Sequence, residues 1–161
     1  MRQRRPPLSA ADESAVRTIV SEFANTWNRH DMNAMHELDT QYVAWINVVG
    51  HHWRGKTTVF KGHTAIHKGM EAATSVSVES ATVQPIAPTV AVAVATMYFK
   101  ASPDPRASGV AATKTRGSFT MVKGDGIWRI AHFQNTVIDP KTENDDIPAF
   151  DATGFPPPRD R

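Results

Sequence analysis

The 161-residue chain has no cysteine, which excludes disulfides, a thiolate nucleophile, iron–sulfur ligation and cysteine zinc sites. It also lacks any apolar run near the roughly 18 residues that would suggest a membrane span. No secretory-type apolar segment follows the N-terminal residues, so a cytoplasmic location is the simplest expectation. Charge of one sign is scarce, since 18 Lys or Arg against 16 Asp or Glu leave a formal net charge of +2. Nucleic-acid binding needs a basic stripe that neutralises successive phosphates. The one basic cluster, Arg2, Arg4 and Arg5 in "MRQRRPP", reads as a solvated tail, so neither nucleic acid nor membrane is expected as a partner. A glycine-rich dinucleotide loop, a phosphate loop and a serine-nucleophile elbow are missing too, and no cofactor is expected.

What is present suits one α+β domain with tails: a basic segment over 1–10, a domain over 11–139, and a proline- and acid-rich arm over 140–161. Val16, Ile19, Val20, Phe23 and Trp27 recur at three- and four-residue steps, which predicts an amphipathic helix capped by Ser9 or Asp12. Asp31 can cap a short second helix with Met35 and Leu38 inward and Asn33, His36 and Glu37 outward. Tyr42–Val49 reads as a strand ending at Gly50, and Lys56–Lys68 as a third helix weakened by Gly62. Four strands follow from Ser75: Ser75–Val83 with a bulge near Glu79-Ser80, "TVAVAVATMYFK", Val110–Val122 and Ile127–Ile138. Helices first and strands after favour α+β over a parallel βαβ sheet.

Histidines carry most of the candidate chemistry. His51 and His52 are adjacent and would point to opposite faces of a strand, so they read as a polar exit from it. His63 and His67 share a helix face at i, i+4 spacing, but Thr64 stands where a metalloprotease helix needs its glutamate. A third ligand would have to come from Glu71, His52 or a distant strand, and no metal site is expected. His63 is instead a candidate for pocket acid–base service. His132, on the last strand with Trp128, Ile130 and Gln134 on its side, is the second such candidate. Trp45, Trp53, Tyr98 and Trp128 can line an aromatic pocket or simply fill a core, and Asn47 can bind a carbonyl through its amide. Asp39 reads as an exposed cap or loop carboxylate, Glu79 and Asp125 as surface and turn residues. Which sheet face is inward stays open.

The segments "FANTWNRHDMNAMHEL", "YVAWINVVGHHWRG" and "GIWRIAHFQNTVI", in this order, resemble the fold of nuclear transport factor 2 and ketosteroid isomerase. More narrowly they resemble the SnoaL-like group with its SgcJ/EcaC proteins. The resemblance spans roughly Ala11 to Asp139. It implies an NTF2-like cone: three N-terminal helices on a strongly curved, mostly antiparallel sheet, and a homodimer formed through sheet faces. The isomerase's catalytic tyrosine would fall near Phe23 and its general-base aspartate near Asn47. Both functional groups are missing, which argues against ketosteroid-type isomerisation through those positions.

The expected pocket thus comprises Phe23, Trp27, Trp45, Asn47, Trp53, Tyr98 and Trp128, with His63 and His132 as catalytic candidates. Three functions follow. The first is binding of a small apolar or aromatic, carbonyl-containing molecule. The second is cofactor-independent isomerisation, dehydration or cyclisation of such a molecule. The third is protein association without catalysis.

Overall fold

A computed structural model describes residues 8–69, 74–100 and 112–140 of the chain. Its helices are α1 (Ala10–Asn28), α2 (Met32–Glu37) and α3 (Lys56–His67). Its strands are β1 (Asp39–Ile46), β2 (His52–Arg54), β3 (Ser75–Ala87), β4 (Val90–Lys100), β5 (Thr113–Gly124) and β6 (Ile127–Val137). Residues 1–7 of the basic N-terminal segment, Glu71, Val110 and the proline- and acid-rich stretch from 141 onward lie outside the described residues.

Local chemistry accounts for the helix starts. The Ser9 hydroxyl accepts from the Asp12 amide and caps α1, and the Asp31 carboxylate accepts from the Ala34 amide and caps α2. Each satisfies an N–H that the first helical turn leaves without a partner. α1 then buries Val16, Ile19, Val20, Phe23 and Trp27, the predicted stripe, against β3, β4 and β6.

The sheet corrects the expectation of a strongly curved cone. Its six strands run in the order β2-β1-β6-β5-β4-β3, an open sheet whose end strands do not meet. Four of the five pairings are antiparallel, but β1 lies parallel to β6, so the sheet is mixed. Closure would need β2 to pair along β3, and β2 offers only three residues of ladder, His52–Arg54. That short strand falls where a polar exit was expected. β1 also begins earlier than expected and stops at Ile46, which leaves Val49 72% exposed. β3 continues through Pro85 to Ala87, because an edge strand tolerates a residue without an N–H.

The core sits between the helices and one sheet face. β4 turns Ala91, Ala93, Ala95, Met97 and Phe99 inward, while Val92, Val94, Thr96 and Tyr98 stand half-buried on the far face. β6 changes phase partway. Ile130 pairs with Met121 and His132 with Thr120, so Ala131 is an extra residue. Trp128, Ile130 and Phe133 consequently share the buried face, and His132 is turned away from it. At Gly117 an added Cβ would lie 2.5 Å from Met97 Cε and 2.9 Å from a Phe133 ring atom. At Gly62 it would lie 2.8 Å from the Trp53 ring. The glycine that weakens α3 as a helix is therefore the one that lets Trp53 lie against it. Among the described residues, no helix is long and apolar enough to cross a membrane.

Candidate functional site

Between α2, α3 and the start of β1, three ionisable side chains form a buried chain. His36 Nδ1 is 2.5 Å from Asp39 Oδ2, and His36 Nε2 is 3.1 Å from His63 Nδ1. All three residues are 2% exposed. The His63 ring meets Trp45 at 4.8 Å, Trp53 at 5.4 Å and Trp27 at 6.2 Å between centroids, each nearly edge-on. Behind these indoles, Phe23, Phe119 and Phe133 pack on one another, and Phe23 and Phe133 also pack on Trp45. One polar chain thus ends in an aromatic enclosure.

Burial decides the electrostatics here, because low-dielectric surroundings penalise whichever form is charged. It raises the Asp39 carboxyl above its ordinary range, against the opposing pull of His36 and Lys56. It holds the His63 imidazole well below 6.5, reinforced by the charges of His36 and His67 and opposed by a hydrogen bond to the Val59 backbone. His63 is therefore neutral near neutral pH. Asp39 Oδ1 is buried without a hydrogen-bond partner among the described residues, an uncommon state for a buried polar atom.

If Asp39 is ionised, it accepts from His36 Nδ1–H, and His36 Nε2 must then accept from His63 Nδ1–H. That orientation leaves His63 Nε2 as a lone-pair nitrogen, the form a general base needs. His36 is also among the residues lining a cleft of about 350 Å³, with Asn33, Glu37, Gln41, Lys56, Thr57 and Phe60. A second imidazole pair lies nearby, His30 Nδ1 being 2.9 Å from His67 Nδ1, with the His67 ring 4.3 Å from that of Trp27. Burial, with the charges of His30 and His36, lowers His67 to about 4. No group of three or more His, Asp or Glu that could hold a metal occurs among the described residues.

The structure brings together part of the predicted site. Phe23, Trp27, Trp45, Trp53 and His63 converge. Asn47 does not join them: its side-chain oxygen accepts from the Val49 and His51 amides in the turn after β1. Tyr98 and His132 stand on the far sheet face, and Trp128 packs at the other end of α1, where its Nε1–H donates to Asp12.

His36 and Asp39, read from sequence as outward-facing and exposed, are instead buried. The available signal was the spacing Met32, Met35, His36, which is i, i+3, i+4 on one helix face, followed by an aspartate three residues after the histidine.

Comparison with known proteins gives the family and the fold. A family model described as a SnoaL-like domain matches residues 16–140. Among solved structures, an uncharacterised Caulobacter vibrioides protein with a cystatin-like fold is similar at 27% identity and a TM-score of 0.76, covering 85% of this chain and 96% of that one. An NTF2-like protein of unknown function from Pseudomonas putida gives 15% identity and a TM-score of 0.70, with 84% and 94% covered. A candidate scytalone dehydratase from Novosphingobium aromaticivorans gives 12% and 0.66, with 80% and 85% covered. The comparison with curated proteins found no match.

Proposed function

Because the chain belongs to the SnoaL-like domain family, we propose that it binds a small apolar or aromatic molecule bearing a carbonyl group and moves a proton on it without a cofactor. The reaction class is isomerisation, dehydration or cyclisation. The observation that carries this reading is the buried Asp39–His36–His63 chain ending among Trp27, Trp45 and Trp53.

Trp27, Trp45 and His63 are packed and buried, so the ligand enters as these indoles part; they then give it flat apolar surface, and His63 Nε2 takes a proton from a carbon next to its carbonyl. A cation confined to His63 would be costly at that depth. The chain relieves it: as Nε2 gains the proton, Nδ1 passes its own to His36 Nε2, and the imidazolium forms beside the Asp39 carboxylate. Reversing both transfers returns a proton from His63 Nε2 to another atom of the ligand. His63 thereby serves as base and then as acid. His132 has no part in this step, and the face it shares with Val92, Val94 and Tyr98 is where we place a second copy of the chain.

Deuterium uptake from D2O tests the chemistry without knowledge of the product. Polyketide-like, steroid and aromatic ketones that quench tryptophan fluorescence saturably are incubated in D2O and examined by mass spectrometry. The expected result is enzyme-dependent exchange that His63→Gln abolishes while binding persists and that Trp45→Ala weakens through binding. Saturable binding with no exchange above background would favour the plain binding role, and exchange undiminished in His63→Gln would remove the base assignment.

A further inference from the structure

The cleft lined in part by His36 and Phe60 has a composition unlike that of the aromatic cluster around His63. Lys56, Asn33, Gln41 and Thr57, whose side chains carry an ammonium, two amides and a hydroxyl, are among the residues lining one space of about 350 Å³, a size ordinary for a small-molecule site. Glu37 is the single carboxylate among the lining residues, and it pairs with Lys56 at 3.3 Å.

That ion pair is lopsided. The Lys56 side chain is 19% exposed and that of Glu37 80%, so the cation is built into the wall while the anion stands in water. An exposed pair of this kind holds its partners weakly, and Glu37 can yield Lys56 to another anion. The backbone reinforces the choice of sign. Lys56 and Thr57 open α3, whose first turn carries no acidic side chain and whose N-cap, Gly55, provides no side-chain acceptor; a helix start favours negative charge.

The apolar part of the cleft is equally specific. Phe60, half-buried, lines the cleft, and the His36 ring packs against it at 5.9 Å between centroids and 84°. A planar ring can pack on Phe60, stacked or edge-on, the arrangements aromatic pairs favour. Both nitrogens of His36 are engaged with Asp39 and His63 and the residue is buried, so it backs Phe60 and offers the ligand no hydrogen bond.

We propose that this cleft is a second ligand site, for a small aromatic carboxylate whose anionic end meets Lys56, Thr57 and the two amides while its ring packs on Phe60. None of the indoles is among the residues that line it.

Benzoate is the probe. Calorimetry on the full chain is expected to show saturable binding that weakens with added salt and falls at least tenfold in Lys56→Met, whose fold is checked by circular dichroism. Benzamide, which keeps the ring and loses the charge, is expected to bind at least tenfold more weakly to the unaltered protein, a comparison that needs no variant. Amide resonances of Thr57 and Phe60 are expected to shift on titration while the Trp45 indole resonance stays in place. Equal affinity for benzamide, undiminished binding to Lys56→Met, or shifts centred on Trp45 would each overturn the assignment.

Discussion

Asp12 and Asp39 both bond to a ring nitrogen, and their surroundings push them in opposite directions. Asp12, in the first turn of α1, accepts from Lys123 Nζ at 2.7 Å and Trp128 Nε1 at 2.8 Å, with the Ser9 hydroxyl on its other oxygen. Those donors hold its carboxyl at about 2. Asp39 has His36 on one oxygen and, among the described residues, no partner on the other, and burial raises it. A fully served carboxylate near water ties α1 to β5 and β6 and has no proton to give. A half-served one in the core is poised to exchange charge with its histidine, which is why chemistry is assigned to that end of the molecule.

The strongest way to break the contrast is His36→Ala, which strips Asp39 of the one hydrogen-bond partner it has among the described residues. Leaving a buried carboxylate unpaired costs about 3–5 kcal/mol, so urea denaturation at neutral pH is expected to show a loss of that size. The loss should shrink in acid, where Asp39 takes up a proton. A loss under about 1 kcal/mol at neutral pH would mean that Asp39 is solvated or already protonated there.

Acid stability sharpens the contrast at its histidine side. His67 has a folded pKa of about 4, below its ordinary 6.5; the stability it contributes is therefore present above 6.5 and lost as pH falls through about 4. His67→Phe is expected to flatten the decline in Tm over that window, and an unchanged decline would place the acid-sensitive group elsewhere. The smallest effect is at the other aspartate. Asp12→Asn is expected to lower Tm modestly at pH 7 and to converge on the unaltered protein as pH falls from about 3.8 through about 2. A depressed carboxylate contributes stability only while it stays ionised. A gap that persists below pH 2 would make the clamp a matter of packing and not of charge.

Much of this frame is legible along the chain, because it rests on local periodicity. The α1 stripe, the Asp31 cap and the bulge at Glu79-Ser80, seen as a register shift between Val78 and Ser80, all follow from residues a few positions apart. α2 is only six residues long, too short for periodicity to choose its inward face. Met35 and Leu38 therefore suggested one orientation, whereas Met32, Met35 and His36 are the residues buried. The extra residue Ala131 decided the side of His132 in the same way, since a single bulged residue reverses the faces beyond it.

Local pattern along the chain was enough to set the order and type of the main elements and the aromatic content of the core, and the lack of cysteine excludes thiol chemistry. Tertiary structure alone decided that β1 enters parallel to β6, that the sheet stays open, and that Asp39, His36 and His63 meet in the interior. A periodic pattern records which side of an element avoids water. Which two elements then face each other depends on contacts between residues distant in sequence, such as His36 and His63, 27 positions apart.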